Sequence, residues 1–111
     1  MEHPVGEPKL RDNLLIKLKE NTRNVIIDLL EEPVPVPIPG IVFWKKDGRS
    51  LSRSNRIGLT YSSVTFDTIR REDIGNYSVF VANRLTLIRY GFYRPGTDTG
   101  SFYLDVICNK N

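Results

Sequence analysis

The sequence predicts an all-β protein, a sandwich or a barrel, on three observations. Short runs rich in β-branched and aromatic residues recur along the chain. Turn residues separate them, at Asp47-Gly48, Gly58, Gly75, Pro95-Gly96 and Gly100. The spacing of the runs is that of strands returning in short order.

Taken in order, the first run is Leu14-Leu15-Ile16-Lys17-Leu18, read as an edge strand, although the apolar residues at 10, 14, 15 and 18 also fit a helical spacing. Val25-Ile26-Ile27-Asp28-Leu29-Leu30 is the second. Pro33-Val34-Pro35-Val36-Pro37-Ile38-Pro39-Gly40 follows, and it cannot be a central strand. Alternating prolines remove backbone donors and hold the intervening residues extended, giving a stiff connector. No two of these prolines have the three-residue offset of a Pro-x-x-Pro ligand. Ile41-Val42-Phe43-Trp44, Ser63-Val64-Thr65-Phe66-Asp67, Tyr77-Ser78-Val79-Phe80-Val81 and Phe102-Tyr103-Leu104-Asp105-Val106-Ile107 complete the set.

A chain of 111 residues is long enough for one domain with its own core, and its 40% hydrophobic and 26% charged content is that of a globular protein. No apolar stretch reaches the ~18 residues of a membrane span. Met1-Glu2-His3-Pro4 lacks the basic and apolar regions of a secretory leader, so the expectation is a cytosolic protein or a domain excised from a longer one. The net charge of +3 is mild, and Lys45-Lys46 and Arg70-Arg71 both abut acidic residues, so no nucleic-acid partner is expected. Catalytic material is sparse. His3 is the one histidine, Cys108 has no local base, and no residues have metal-ligand spacing. The pairs Glu31-Glu32 and Glu72-Asp73 are adjacent, which sends their side chains to opposite faces or onto loops. The expectation is no enzyme, no metal and no cofactor.

Asp73-Ile74-Gly75-Asn76-Tyr77-Ser78-Val79 reads Asp-x-Gly-x-Tyr-x-Val, and resembles the Asp-x-Gly-x-Tyr-x-Cys corner of immunoglobulin-like domains. Trp44 with Lys45-Lys46-Asp47-Gly48 resembles strand C, and Val25-x-Ile27-x-Leu29 resembles strand B. Val64-x-Phe66-x-x-Ile69 resembles strand E, Arg56-Ile57 the start of strand D, and Leu104-x-Val106 strand G. The matches run in order over roughly residues 14–107. They imply an immunoglobulin-like Greek-key β-sandwich of two antiparallel sheets, variable-like or intermediate in kind, with residues 1–13 as an extension or strand A and 108–111 as a linker. Leu29 and Val79 stand where the two bridging cysteines usually do. A bridge over that ~50-residue loop would be worth about 4 kcal/mol, part of which an apolar pair recovers at about 1.5–3 kcal/mol per buried side chain. The resemblance implies that Tyr77 bonds backbone at the corner, that Asp73 faces Arg56, and that Gly75 supplies a backbone conformation a side chain would resist. The wording Thr65-Phe66-x-x-Ile69 and Asp73-x-Gly75-Asn76-Tyr77, with cysteine-free B and F positions, also resembles invertebrate self-recognition (allorecognition) receptors.

Strand alternation then nominates a surface. If Trp44, Tyr77, Val79, Val81, Leu104 and Val106 face the core, then Ile41, Phe43, Lys45, Ser78, Phe80, Ala82, Tyr103, Asp105 and Ile107 face outward on strands C, F and G. A solvent-facing sheet is normally polar, so the apolar members of that set mark an interaction site. The connection from Arg84 to Thr99 is long, unless part of Leu85-Thr86-Leu87-Ile88 extends strand F and leaves a shorter hairpin tip at Pro95-Gly96, and it carries Tyr90, Phe92, Tyr93 and Arg94, residue types enriched at binding hot spots. Asn76-Tyr77-Ser78 is the chain's one N-glycosylation sequon. The expected function is an extracellular recognition or adhesion module of a cell-surface receptor. It binds a protein, which could be a second copy of itself, through the C–F–G face and the F–G loop, with any membrane anchor outside this chain. The alternative is an intracellular titin-like spacer of the sarcomere. Cys108, just past strand G, is expected to be an unreactive linker thiol.

Overall fold

The computed structural model describes residues 9–31, 40–82 and 97–108. Within them run eight strands: β1 (Leu14–Lys19), β2 (Arg23–Asp28), β3 (Ile41–Lys46), β4 (Arg49–Ser50), β5 (Ile57–Leu59), β6 (Ser63–Thr68), β7 (Gly75–Ala82) and β8 (Thr97–Ile107). A 3-10 turn at Arg71–Asp73 precedes β7. One sheet has the order β1-β8-β7-β3-β4 and the other β2-β6-β5. The chain changes sheet between β1 and β2, between β2 and β3, between β4 and β5, and between β6 and β7, which is a Greek-key route. The proline-rich segment falls outside the described residues.

Pairing is antiparallel except at one edge, where β1 runs parallel to β8, Leu14 opposite Phe102 and Lys19 opposite Ile107. The expectation of two antiparallel sheets is corrected there. The cause is a crossing made by the N-terminal segment. Leu10 first bridges Leu30 antiparallel, beyond the end of β2, and Arg11 N–H donates to Leu29 O at 2.7 Å. Asn13 then adopts φ 59°, the left-handed region that asparagine tolerates, and its N–H donates to Ser101 Oγ at 2.9 Å. The chain thereby leaves one sheet and joins the other. Gly100 makes room for this: a Cβ there would lie 2.7 Å from Arg11 O and 2.9 Å from Leu10 Cβ. Strand G starts earlier than the sequence suggests, because Thr97–Thr99 pair with Phe80–Ala82 rather than belonging to the connection.

The core is built around aromatic rings that span both sheets. Tyr77 and Phe102 stack with centroids 4.8 Å apart and planes 5° from parallel. Phe66 of the smaller sheet meets Tyr77 edge-on at 6.1 Å, and Trp44 meets Phe102 edge-on at 6.4 Å. Trp44 Nε1 donates to Thr60 O at 2.7 Å, so the indole carries no unpaired donor inside. Leu29 and Val79 are both buried in this core. Leu29 Cδ1 would lie 3.2 Å from a Cβ at Gly100, and Gly100 is the residue paired with Val79.

The corner before β7 is closed by Asp73, which is almost fully buried. Arg56 grips its carboxylate with two hydrogen bonds of 2.8 and 2.9 Å, and Arg70 N–H donates to the same carboxylate at 2.7 Å. The hydrogen bond to Asp73 leads the effects that raise the Arg56 pKa above its already high value. Arg56 also donates to Thr68 O at 2.8 Å. Tyr77 Oη donates to the backbone carbonyl of Asp73 at 2.6 Å. Lys46 reaches across to donate to Glu72 O. Gly75 has a different role from the one the resemblance implies: its φ is not left-handed, and what it supplies is space. A Cβ would lie 2.8 Å from Asp47 Oδ2 and 2.9 Å from Lys46 Cε.

Two outcomes follow. Asp73→Ala should lower the unfolding free energy by about 3 kcal/mol in urea titration, because it strands the partly buried Arg56 guanidinium and the Arg70 N–H. The second concerns pH. Burial, reinforced by the charge of Asp73, pushes the Tyr77 phenol well above its ordinary value. The folded protein therefore holds that proton more tightly than the unfolded chain. This stability is present below the unfolded value of about 10 and is lost as pH climbs above it. Urea titrations between about pH 8 and 11 should show stability falling above pH 10, with the fall reduced in Tyr77→Phe.

Candidate interaction face

The outer surface of the five-stranded sheet is set by the strand register. Phe43 pairs with Phe80 across β3 and β7, and the two rings stack with centroids 6.5 Å apart. They do so in solvent: Phe43 is 61% exposed and Phe80 39%. Aromatic rings directly opposite on an antiparallel pair meet because their Cβ atoms stand about 5 Å apart. Ile41, half-buried, lies one row beyond them, opposite Ala82. Beside the pair, a cleft of about 530 Å³ opens between Phe43, Lys45, Ser50 and Leu51. Asp47-Gly48, both at positive φ, close the β3–β4 hairpin and project Arg49 into solvent. Lys45 is exposed on this face opposite Ser50, whereas Arg49 pairs with Lys46 and belongs to the other face, at the Asn76 end of the strands.

A second apolar group lies at the other end of the sheet. Tyr103 sits opposite Asn76 on one side and Leu15 on the other, and Ile107 lies opposite Lys19. Leu15, Tyr103 and Ile107 are all exposed. Between the two groups runs a polar row, Lys45–Ser78–Ser101. Ser101 Oγ is tied to Asp12 at 2.5 Å, which fixes this row in place. The outward residues therefore form two patches and not one continuous surface.

Three further placements differ from the strand-alternation reading. Ala82, opposite Ile41 and Thr97 on the flanking strands, is buried rather than outward. Asp105 and Ser78 are half-buried. Tyr90, Phe92, Tyr93 and Arg94 lie outside the described residues. Asn76 is exposed. Leu15 is a contributor that the alternation of β1 would have disclosed, since Leu14, Ile16 and Leu18 turn inward while Leu15 and Lys17 turn out. Ile26 is exposed on the opposite sheet as a single apolar residue, which is ordinary for a protein surface. Cys108 is a half-buried free thiol just past β8.

This architecture is an immunoglobulin-like β-sandwich, and comparison with solved structures bears that out. Sidekick-1 immunoglobulin domains 1–4 are similar with a TM-score of 0.69 and 20% identity, covering 94% of this chain and 25% of that one. The titin M3 domain is similar with a TM-score of 0.58 and 23% identity, covering 90% of this chain and 96% of titin M3. The insect immune protein hemolin, whose domain arrangement has implications for homophilic adhesion, is similar with a TM-score of 0.59 and 21% identity, covering 89% of this chain and 22% of hemolin. The chain thus spans about a quarter of the Sidekick-1 and hemolin structures and nearly all of titin M3. No family model matches the sequence, and no curated protein matches it. Such likenesses establish the fold and the module.

The face can be perturbed without the core. Phe43→Asp and Phe80→Asp should each change the urea unfolding free energy by no more than about 1 kcal/mol, since both rings stand in solvent and the ladder persists. Phe102→Ala, at a buried position in the aromatic stack, should cost about 3–5 kcal/mol in the same titration.

Proposed function

We propose that this domain is an extracellular recognition module that binds a protein through the Phe43–Phe80 end of the five-stranded sheet. The observation that carries the reading is the solvent-exposed aromatic stack on two interior strands, beside a cleft and next to the exposed Lys45. Rigid aromatics on a preformed sheet lose little side-chain entropy on binding, which makes them suitable anchors. The exposed Lys45 favours a partner with an acidic side chain beside an apolar recess. Two copies joined face to face about a two-fold axis would bring their Lys45 charges together, so a different protein suits this end better than a second copy. Structural likeness to hemolin and Sidekick-1 supports an adhesion setting.

A second reading has its own support. Leu29 and Val79 fill the core without a bridge, so the fold does not require an oxidising compartment, and titin M3 shares it over nearly its whole length. In that setting the domain is an intracellular spacer and the exposed aromatics contact a neighbouring module.

The test places a photo-cross-linking residue at position 43 and, as control, at the equally exposed position 26 on the opposite sheet. Cells of the source tissue should give a cross-link from 43 that is absent from 26 and is lost in a Lys45→Glu background. Equal cross-linking at both positions, or none, would overturn the assignment. Sedimentation velocity over a concentration series reads self-association separately. A monomer is expected, and a dimer that Phe43→Asp dissociates would instead seat a second copy on this face.

A further inference from the structure

The Tyr103 end of the sheet calls for a different occupant from the Phe43 end. Asn76-Tyr77-Ser78 is the chain's sequon, and the fold sorts its residues: Asn76 is exposed, Tyr77 fully buried and Ser78 half-buried. Asn76 is anchored on a rigid strand next to a turn. Its N–H donates to Asp47 Oδ1 at 2.9 Å, and Asp47 N–H donates to Asn76 O at 2.8 Å. Tyr103 stands directly opposite it on β8, and Leu15 stands opposite Tyr103 on β1. Residues so paired share a face, with Cβ atoms about 5 Å apart. One row thus contains an amide that can be modified, an exposed aromatic ring and an exposed leucine.

We infer that Asn76 carries an N-linked glycan whose first N-acetylglucosamine lies with its apolar face on Tyr103 and its edge against Leu15. The transfer draws on a lipid-pyrophosphate-linked oligosaccharide as co-reactant. The Asn76 side-chain nitrogen forms a bond to the anomeric carbon, the bond from that carbon to the pyrophosphate oxygen breaks, and the lipid pyrophosphate leaves with the electron pair. The amide proton passes to a base of the transferase. Tyr77 is then buried as β7 folds, and the sugar is left on the outer face. Phe80 is four residues along β7 from Asn76, about 13 Å away, so the first sugar leaves the Phe43–Phe80 pair open. The glycan covers one apolar patch and confines protein binding to the other. The inference rests on the extracellular setting proposed above, because the transfer occurs in the secretory lumen.

The test expresses the chain behind a secretory leader in glycosylating cells. Intact mass should show one glycan, removed by peptide N-glycosidase and missing from both Asn76→Gln and Ser78→Ala. Tyr103→Ser should lower the Tm of the glycosylated protein by about 4 °C more than that of the enzymatically deglycosylated protein. Trimming to the single core sugar should preserve that difference. Secreted, folded protein without sugar at Asn76 overturns the site. A glycan whose presence leaves the effect of Tyr103→Ser unchanged overturns the packing. Mass and melting temperature involve no protein partner, so this inference and the cross-linking at position 43 can fail independently.

Discussion

The fold turns on the Asp73 carboxylate, buried at the corner before β7. It accepts from Arg56, which opens β5 in the smaller sheet, and from the backbone of Arg70, while its own carbonyl accepts from Tyr77. A buried carboxylate is costly unless it is fully partnered, and here each partner comes from a different part of the sandwich. The corner therefore forms only when β5, the 3-10 turn and β7 are together. Because Tyr77 must point inward to reach Asp73 O, the phase of β7 is fixed, and a one-residue slip would turn every side chain of the strand over. Phe80 points outward as a consequence of this bond.

That phase propagates through the register. With Tyr77 inside, its stacking partner Phe102 is drawn inside on β8, and Phe102 positions Trp44 on β3 through an edge contact. The remaining residues of these strands then have only the outer face available. Phe43 meets Phe80, and Tyr103 meets Asn76, because of pairing offsets set by the core. The surface on which function is proposed is the reverse side of the aromatic stack. Its rigidity comes from that stack, as expected of a binding surface carried on strands.

Much of this was legible in the sequence, for a physical reason. Period-two alternation directly encodes which residues share a face, so Trp44, Tyr77, Val79, Val81, Leu104 and Val106 can be assigned inward from the chain alone, and all are buried. Pairing offsets are not encoded that way. The sequence gives Phe43, Phe80 and Tyr103 as outward but cannot say that a polar row, Lys45–Ser78–Ser101, divides them. Nor can it show the crossing of the N-terminal segment, which depends on an asparagine at positive φ and on the missing side chain of Gly100, 87 positions further on. Gly75 illustrates the same limit: a glycine in a motif shows that a side chain is excluded, but only the neighbours Asp47 and Lys46 show that the reason is space.

The apolar filling at Leu29 and Val79 bears on where the domain can work. A bridged sandwich depends on an oxidising compartment, whereas this one is closed by burial and by the Asp73 network, neither of which responds to redox conditions. The core is thus indifferent to compartment and gives no evidence for either setting. Only the surface can discriminate. An exposed asparagine in a sequon, facing an exposed tyrosine across two rigid strands, gains a function only where oligosaccharide is transferred. In the cytosol the same row would leave Tyr103 and Leu15 bare as a second apolar patch, adding to the surface that could associate. The two settings therefore make different demands on one row of residues, and the proposed glycan at Asn76 is where they would be told apart.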